Sequence, residues 1–253
     1  MSMPLSLRRF LAGAISSALS LCVSTLCLAQ SKPAPMASVF VTHVKPDMAL
    51  EWEALQKDLN AALKKGDTPM RAVSQTAVFG DLNTYVSVTP IENFAQFDSP
   101  SPLVKALGEN GSAQLLAKLN KCVVDSHRFG VRFREDLSWK QRVPAPLAMI
   151  TFIRLAPGKR PDYEKFVKSD ILPAMKKLEL DGYWVYETIL GGNSYDWVTV
   201  TPLKKFADLD AGIPIIRALG QAGADKVAAK SASLITSLER IISRARVDLS
   251  YAP

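Results

Sequence analysis

Apolar and polar residues follow the same series of patterns twice along this chain. Each series opens with a β-branched run, residues 38–44 or 149–155, which predicts a strand. A stretch with apolar residues three or four positions apart follows and predicts a helix with one buried face. Two further strands with a glycine-containing turn come next, then a second amphipathic helix and a last strand of alternating character. The predicted order of elements is therefore βαββαβ, written twice.

Matching residues place the two copies in register. Pro46 corresponds to Pro157, 111 positions later, and Pro90 corresponds to Pro202, 112 positions later. We place the extra residue of the second copy in a turn, where Gly191-Gly192 aligns with Gly80 of the first copy. The predicted organisation is a signal peptide (1–29), an N-terminal tail (30–36), a first repeat (37–138), a linker (139–147) and a second repeat (148–250).

The doubled βαββαβ order is that of a ferredoxin-like unit, whose four-stranded antiparallel sheet has helices on one face only. In this doubled order of elements the chain resembles the dimeric α+β barrel superfamily. The predicted fold class is α+β, with two tandem ferredoxin-like repeats whose antiparallel sheets pack face to face as a single-chain α+β barrel. The resemblance covers nearly all of the chain after the leader. It is a resemblance in the order of the elements, so it does not identify a ligand.

Members of this superfamily include cofactor-independent monooxygenases, isomerase-like enzymes, haem-dependent chlorite dismutase-like proteins and proteins without known activity. The resemblance therefore implies a small-molecule pocket. It leaves open whether there is any catalysis.

The first 29 residues carry Arg8 and Arg9, then an apolar run that ends in a small residue before Gln30. This order is typical of a secretory signal peptide, and we expect an exported protein, periplasmic or secreted, with no membrane span after cleavage. Removing the leader lowers the net charge from +7 to +5, since 29 basic residues then face 24 acidic ones. Such a mild excess gives no support for nucleic-acid binding. Cys122 would be the single remaining thiol, and its apolar surroundings favour a small buried residue over a nucleophile.

The sequence offers little support for metal, haem or serine-hydrolase chemistry. Two separated histidines, His43 and His127, and one thiol make no clustered metal-ligand set, so no metal is expected. Either imidazole could ligate haem, but no attachment motif supports this, and we expect no cofactor. Neither a phosphate-binding glycine loop nor a Gly-x-Ser-x-Gly motif is present.

The first strands of the two repeats differ at one position where both have an ionisable side chain. His43 of the first repeat corresponds to Arg154 of the second. Each is either a polar group that points into a pocket or a hydrogen-bonded residue near the sheet edge.

Arginines recur on one side of each last strand. A ladder of this kind inside a barrel would bind an anionic ligand through bidentate guanidinium groups. The alternative is that they pair on the surface with nearby acids such as Glu135, Asp136 and Asp248. Arg134 and Arg246 are the ligand-site candidates from this set. The full ladder comprises Arg128, Arg132, Arg134, Arg240, Arg244 and Arg246.

The strand after the first helix differs most between the repeats. In the second repeat, alternation places Trp184 and Tyr186 on one face and Glu187 on the other, whereas the first repeat has small polar residues such as Gln75, which we match to Tyr186. The aromatic residues would either line a pocket or fill the space between the sheets.

Three hypotheses follow from these residues. The first is an exported protein that binds a small anionic or aromatic organic molecule in a barrel or cleft pocket. The second is a cofactor-independent monooxygenase-like or isomerase-like enzyme, which would need His43, Tyr186, Glu187 or Arg154 to converge within hydrogen-bond reach of one cavity. The third is a structural or assembly protein without a ligand. The sequence gives no oligomeric state beyond the pseudo-dimer within one chain.

Overall fold

A computed structural model describes residues 35–140 and 142–252 of this protein. The predicted signal peptide and residues 30–34 of the tail lie outside the described residues. The strands of the first repeat are β1 (Met36–Val44), β2 (Ala72–Thr76), β3 (Thr84–Ile91) and β4 (Val123–Phe133). Those of the second repeat are β5 (Leu147–Leu155), β6 (Trp184–Leu190), β7 (Asp196–Leu203) and β8 (Ile235–Ala245).

The helices follow the predicted order. The first repeat contains α1 (Ala49–Lys65) and α2 (Pro102–Lys121). In the second repeat the counterpart of α1 is α3 (Arg160–Phe166), a π-helical turn (Val167–Ile171) and α4 (Leu172–Lys176), and α5 (Pro214–Ser231) matches α2. Short 3-10 helices follow β3 and β7, at Phe94–Phe97 and Phe206–Leu209.

The eight strands form one closed antiparallel barrel in the order β1-β3-β2-β8-β5-β7-β6-β4. Each repeat supplies four neighbouring strands, and the pairs β2–β8 and β4–β6 join the two sheets at both edges. The predicted fold class is confirmed, and the facing sheets are hydrogen-bonded to each other. Closure leaves no free sheet edge, so the barrel avoids the edge pairing that causes aggregation.

The helices cover the outside of the barrel. In the second repeat, Val185 and Trp197 pack in a core with Tyr163 and Phe166 of α3. In the first repeat, Tyr85 packs in a core that includes Trp52 of α1. These apolar contacts show which face of each strand lies outward, and alternation then assigns the opposite residues to the barrel interior.

The strand register corrects one part of the sequence alignment. Gln75 lies opposite Tyr85, and Glu187 lies opposite Trp197, which is 112 positions after Tyr85. Gln75 therefore corresponds to Glu187, and Tyr186 corresponds to the serine before Gln75. The prediction that Gln75 matches Tyr186 was wrong by one residue, and such a slip exchanges the two faces of a strand.

The extra residue of the second repeat consequently enters before β6, and its placement in the Gly191-Gly192 turn was also wrong. The π-helical turn Val167–Ile171 lies in this interval. Its i→i+5 bonds enclose one more residue per turn than α-helical bonds do, so it can take up an insertion without interrupting the helix.

Candidate functional site

The inner wall of the barrel is apolar along most of its length. Because Trp197 and Val185 face the helices, Trp184, Tyr186 and Val198 point inward. Of the candidate residues, His43, Arg154, Trp184 and Tyr186 thus lie on the inner wall. The sequence had left open whether the aromatic residues of β6 face this space, and the register shows that they do.

Several side chains of the inner wall are more accessible than outer-wall side chains that lie under the helices. Outward-facing side chains such as Val44, Tyr85, Val185 and Trp197 are almost completely buried under the helices. Several inward-facing side chains in the middle of the strands are only partly buried, whereas others, such as Trp184, Val131 and Thr188, are buried. The partly buried inward residues are Val39, Val41, Val86, Val88, Phe129, Ile150, Phe152, Tyr186, Val198, Val200 and Ile241.

His43 and Arg154 lie at the same end of the barrel, on opposite walls. Strands β1 and β5 are four antiparallel steps apart around the barrel, so they run in the same direction, and both residues come near the end of their strand. The β2–β3 and β6–β7 hairpins are at this end, which we call the hairpin mouth. Its rim carries exposed apolar side chains: Val78, Phe79, Leu82, Leu190 and Tyr195.

Both polar residues at the hairpin mouth have a carboxylate partner. His43 Nδ1 lies 2.6 Å from Asp125 Oδ1. Arg154 donates from Nε and Nη2 to the two oxygens of Asp196, at 2.6 and 2.9 Å, and this pairing raises the pKa of Arg154. Since the Arg154 guanidinium is engaged bidentately, this mouth does not offer a free anion receptor.

Sequence reasoning did not find the two partners, Asp125 and Asp196. Asp196 is the first residue of β7 and Asp125 the third of β4, and only the cross-strand register brings them opposite Arg154 and His43. An acidic residue at the start of a predicted strand was the available signal.

A few polar groups also face the interior. The Tyr186 hydroxyl accepts a hydrogen bond of 3.2 Å from Arg142 Nη1, and burial of the ring raises the pKa of Tyr186. The indole N–H of Trp184 and the hydroxyl of Ser243 are buried without a hydrogen-bond partner among the described residues. An apolar space with few polar groups is the usual composition of a small-molecule pocket.

The other three candidate residues lie on the outer face. Glu187 is 3% exposed and accepts from Arg132, Arg134 and Arg160. Arg134 also donates to Glu164 at 2.6 Å and to Asp136 at 2.9 Å.

Arg246 has the equivalent position in the second repeat. It pairs with Glu53 and Asp248 and donates to Gln75 at 2.8 Å. The alternative in which the ladder arginines pair with nearby acids therefore describes Arg134 and Arg246, because acidic side chains saturate their guanidinium groups.

The four residues named in the enzyme hypothesis lie in two different environments. His43, Arg154 and Tyr186 face the interior, whereas Glu187 lies under the helices with its arginines. A strand separates the two environments, so no single cavity contains all four groups.

The two histidines lie in accessible parts of their strands. His43 has a side chain that is 39% exposed and is bound to Asp125, and His127 is exposed and stacked on Phe129.

Residues 35–140 and 142–252 show little sign of other site types. Within these ranges no group of three or more His, Cys, Asp or Glu side chains is placed to hold a metal ion. None of the described helices is long and apolar enough to cross a membrane. A surface recess of about 370 Å³ between α1 and α2 contains none of the candidate residues. It is lined by Asp58, Ala61, Ala62, Lys65, Leu107 and Leu115.

Comparison by sequence finds no match: no protein-family model and no curated protein matches this chain. Comparison by structure finds barrels of the same kind. A monooxygenase-like protein from Lactobacillus acidophilus superposes with a TM-score of 0.56 at 8% identity, covering 87% of this chain and 96% of that one. A second monooxygenase-like protein, from Fusobacterium nucleatum, gives 0.55 at 11% identity, with coverages of 88% and 100%.

An anthrone oxidase-like protein gives a TM-score of 0.59 at 7% identity and covers 85% of this chain and 92% of its own. At these identities the likeness shows the fold alone. The chain has the fold of the dimeric α+β barrel superfamily, with both halves in one polypeptide.

Proposed function

We propose that this protein binds a small, neutral, largely apolar or aromatic organic molecule inside the barrel. The observation that carries the proposal is the partial accessibility of inward-facing side chains in the middle of the strands, in contrast with the outward-facing ones buried under the helices. Aliphatic and aromatic side chains such as Val41, Phe152 and Val198 would contact the ligand and remove its apolar surface from water.

The charges at the hairpin mouth favour a neutral ligand. Arg154 and His43 already have Asp196 and Asp125 as partners, so an anion would have to displace a carboxylate. The exposed apolar rim of the same mouth would let an apolar molecule enter without crossing a charged barrier. This narrows the expectation from an anionic or aromatic ligand to an uncharged one at this site.

The neutral fluorescent probe N-phenyl-1-naphthylamine tests the proposal, because its emission rises in apolar surroundings. Val41→Trp places a large side chain on the inner wall and should reduce probe affinity at least about tenfold. Val124→Trp is the matched control, since Val124 is 64% exposed at the start of β4. If the native protein leaves the probe dark, or if both folded variants bind it equally, the interior is not a binding site.

We further propose that the protein is exported and that residues 1–29 are removed. The charged and apolar order of the leader supports this. The mass of the protein recovered from the periplasm or medium, compared with that of the full chain, tests it.

A further inference from the structure

The two repeats differ in the space between the outer face of the sheet and the short helix after the third strand. In the second repeat this space is filled by a small core of its own. The buried members are Leu147, Met149, Leu203 and Ile242, and they pack against Phe206, Leu209 and Ile213.

Small residues replace three of these side chains in the first repeat. Ser38 stands where the second repeat has Met149, and Gly130, directly opposite Ser38 on β4, stands where it has Ile242. Ser101 likewise replaces an isoleucine, Ile213. The first repeat therefore has less side-chain volume at these three positions, and Ile189 of β6 lies beside Gly130, 3.4 Å from where a Cβ would be.

Aromatic side chains around this space are exposed. Phe94 and Phe97, which correspond to Phe206 and Leu209, are 44% and 49% exposed, and their ring centroids are 6.4 Å apart. Phe40 of β1 is 37% exposed on the same outer face. Three exposed phenylalanines in one place form an apolar patch that water solvates poorly.

A guanidinium group lies beside the patch. Arg128 is opposite Phe40 on β4, donates from Nε to Ser38 Oγ at 2.8 Å, and has its guanidinium carbon 5.8 Å from the Phe97 ring centroid. No described carboxylate forms an ion pair with Arg128, whereas Arg134 and Arg246 are saturated by acids. Its orientation is thus set by Ser38, and its two terminal nitrogens can chelate a carboxylate.

We propose that this first-repeat cleft, formed by Ser38, Phe40, Phe94, Phe97, Arg128 and Gly130, binds a small aryl carboxylate. The aromatic ring packs against the phenylalanines, and the carboxylate accepts two hydrogen bonds from the Arg128 terminal nitrogens. The segment around Phe94–Phe97 also carries Glu92 and Asp98, whose repulsion limits the affinity for an anion. A cleft of six residues is too small to form a stable interface with a second copy of the chain, since a standard interface uses about 20–30 residues a side.

Ligand-observed fluorine NMR with 4-fluorobenzoate tests the proposal on the full-length protein. Arg128→Gln should weaken binding at least about tenfold, because the bidentate charge-assisted contact is lost. Arg240→Gln is the matched control: Arg240 is the counterpart of Arg128 in the second repeat, where the cleft is filled, so affinity should stay within about twofold. Equal effects of the two substitutions would overturn the proposal.

A second variant gives the first repeat the side chains that the second repeat has at the same positions. Ser38→Met with Gly130→Ile copies the second repeat, and a Cβ at Gly130 would meet Ile189 Cγ1 at 3.4 Å, an ordinary contact. The folded double variant, checked by circular dichroism, should lose 4-fluorobenzoate binding, and retained binding would contradict the assignment. In Val41→Trp, whose interior is blocked, fluorobenzene lacks the carboxylate and should bind at least about tenfold more weakly than 4-fluorobenzoate.

Two measurements separate this site from its alternatives. Val41→Trp, which blocks the barrel interior, should leave 4-fluorobenzoate binding unchanged, so failure of the interior site does not affect this one. If native protein binds no 4-fluorobenzoate and sedimentation shows a dimer that the double variant abolishes, then a second copy covers the cleft and the proposal is wrong.

Discussion

Arg134, just after the last strand of the first repeat, forms an ion pair with Glu164 in the first helix of the second repeat, with 2.6 Å between Nη1 and Oε1. The equivalent ion pair joins Arg246, just after the last strand of the second repeat, to Glu53 in α1 of the first repeat. Each pair connects the end of one repeat to the first helix of the other, beside the strand joints β4–β6 and β2–β8. The two arginines thus stabilise the union of the half-barrels and do not face its interior.

Replacing Arg134 should destabilise the protein more than replacing its neighbour on the ladder. The Arg134 side chain is 14% exposed and bonds Glu164 and Glu187, so Arg134→Ala should lower the free energy of unfolding by about 3 kcal/mol. Arg132→Ala is the control, because that side chain is 52% exposed and should cost about 1 kcal/mol or less. Urea denaturation of both variants measures the difference. Equal losses of unfolding free energy would show that the ion pairs of Arg134 contribute no more stability than that of Arg132.

The same ion pairs predict a loss of stability in acid. Hydrogen bonds from Arg134 lower the pKa of Asp136 to about 2 and hold the pKa of Glu164 below its ordinary value. A carboxylate with a depressed folded-state pKa contributes stability above its unfolded pKa and loses that contribution as the pH falls through the folded pKa. The free energy of unfolding should therefore decrease as the pH is lowered from about 4.5 to about 2.

Arg134→Ala is the control for this pH dependence. Without the guanidinium, the pKa values of Asp136 and Glu164 return toward their ordinary values, and the curve of unfolding free energy against pH should flatten in that range. Urea titrations at several pH values compare the two proteins. An unchanged slope would mean that other groups carry the acid sensitivity.

The order of elements was predictable because it depends on local patterns. Alternation in the last strand put Phe129, Val131 and Phe133 on one face and the arginines on the other, and the structure confirms this. The outward direction of the arginines was not predictable, since each face of a barrel strand is covered, one by helices and one by the opposite wall.

The joints between repeats were beyond local patterns for a different reason. Pairing β2 with β8 brings Gln75 beside Arg244, residues far apart in the chain, and no periodicity encodes such a contact. The correspondence of Gln75 with Glu187 was missed because counting along the chain cannot locate an inserted residue between two repeats. The candidate residues His43 and Arg154 were correctly matched, but their acidic partners required the register.

The Cys122 thiol should be unreactive in the folded protein. It is completely buried at the end of α2, and burial raises its pKa, so both access and the thiolate fraction are reduced. Iodoacetamide labelling of the Cys122 peptide, followed by mass spectrometry, should be at least about 100-fold slower in native protein than in urea. Comparable rates would show that the end of α2 opens readily.

Two glycines interrupt helices at equivalent places and should be intolerant of substitution. Gly108 in α2 and Gly220 in α5 have φ of 69° and 67° with ψ of 174° and 171°, a region that is nearly restricted to glycine. An added Cβ at either would meet nothing within 4 Å, so the cost of Gly108→Ala comes from the backbone alone and should be about 1–3 kcal/mol. Gly130→Ala is the control, because its φ is not positive and alanine fits there, so stability should be unchanged or should rise by about 0.5–1 kcal/mol. Thermal and urea unfolding measure both, and a Gly108→Ala variant as stable as the native protein would show that the helix can instead continue through this position.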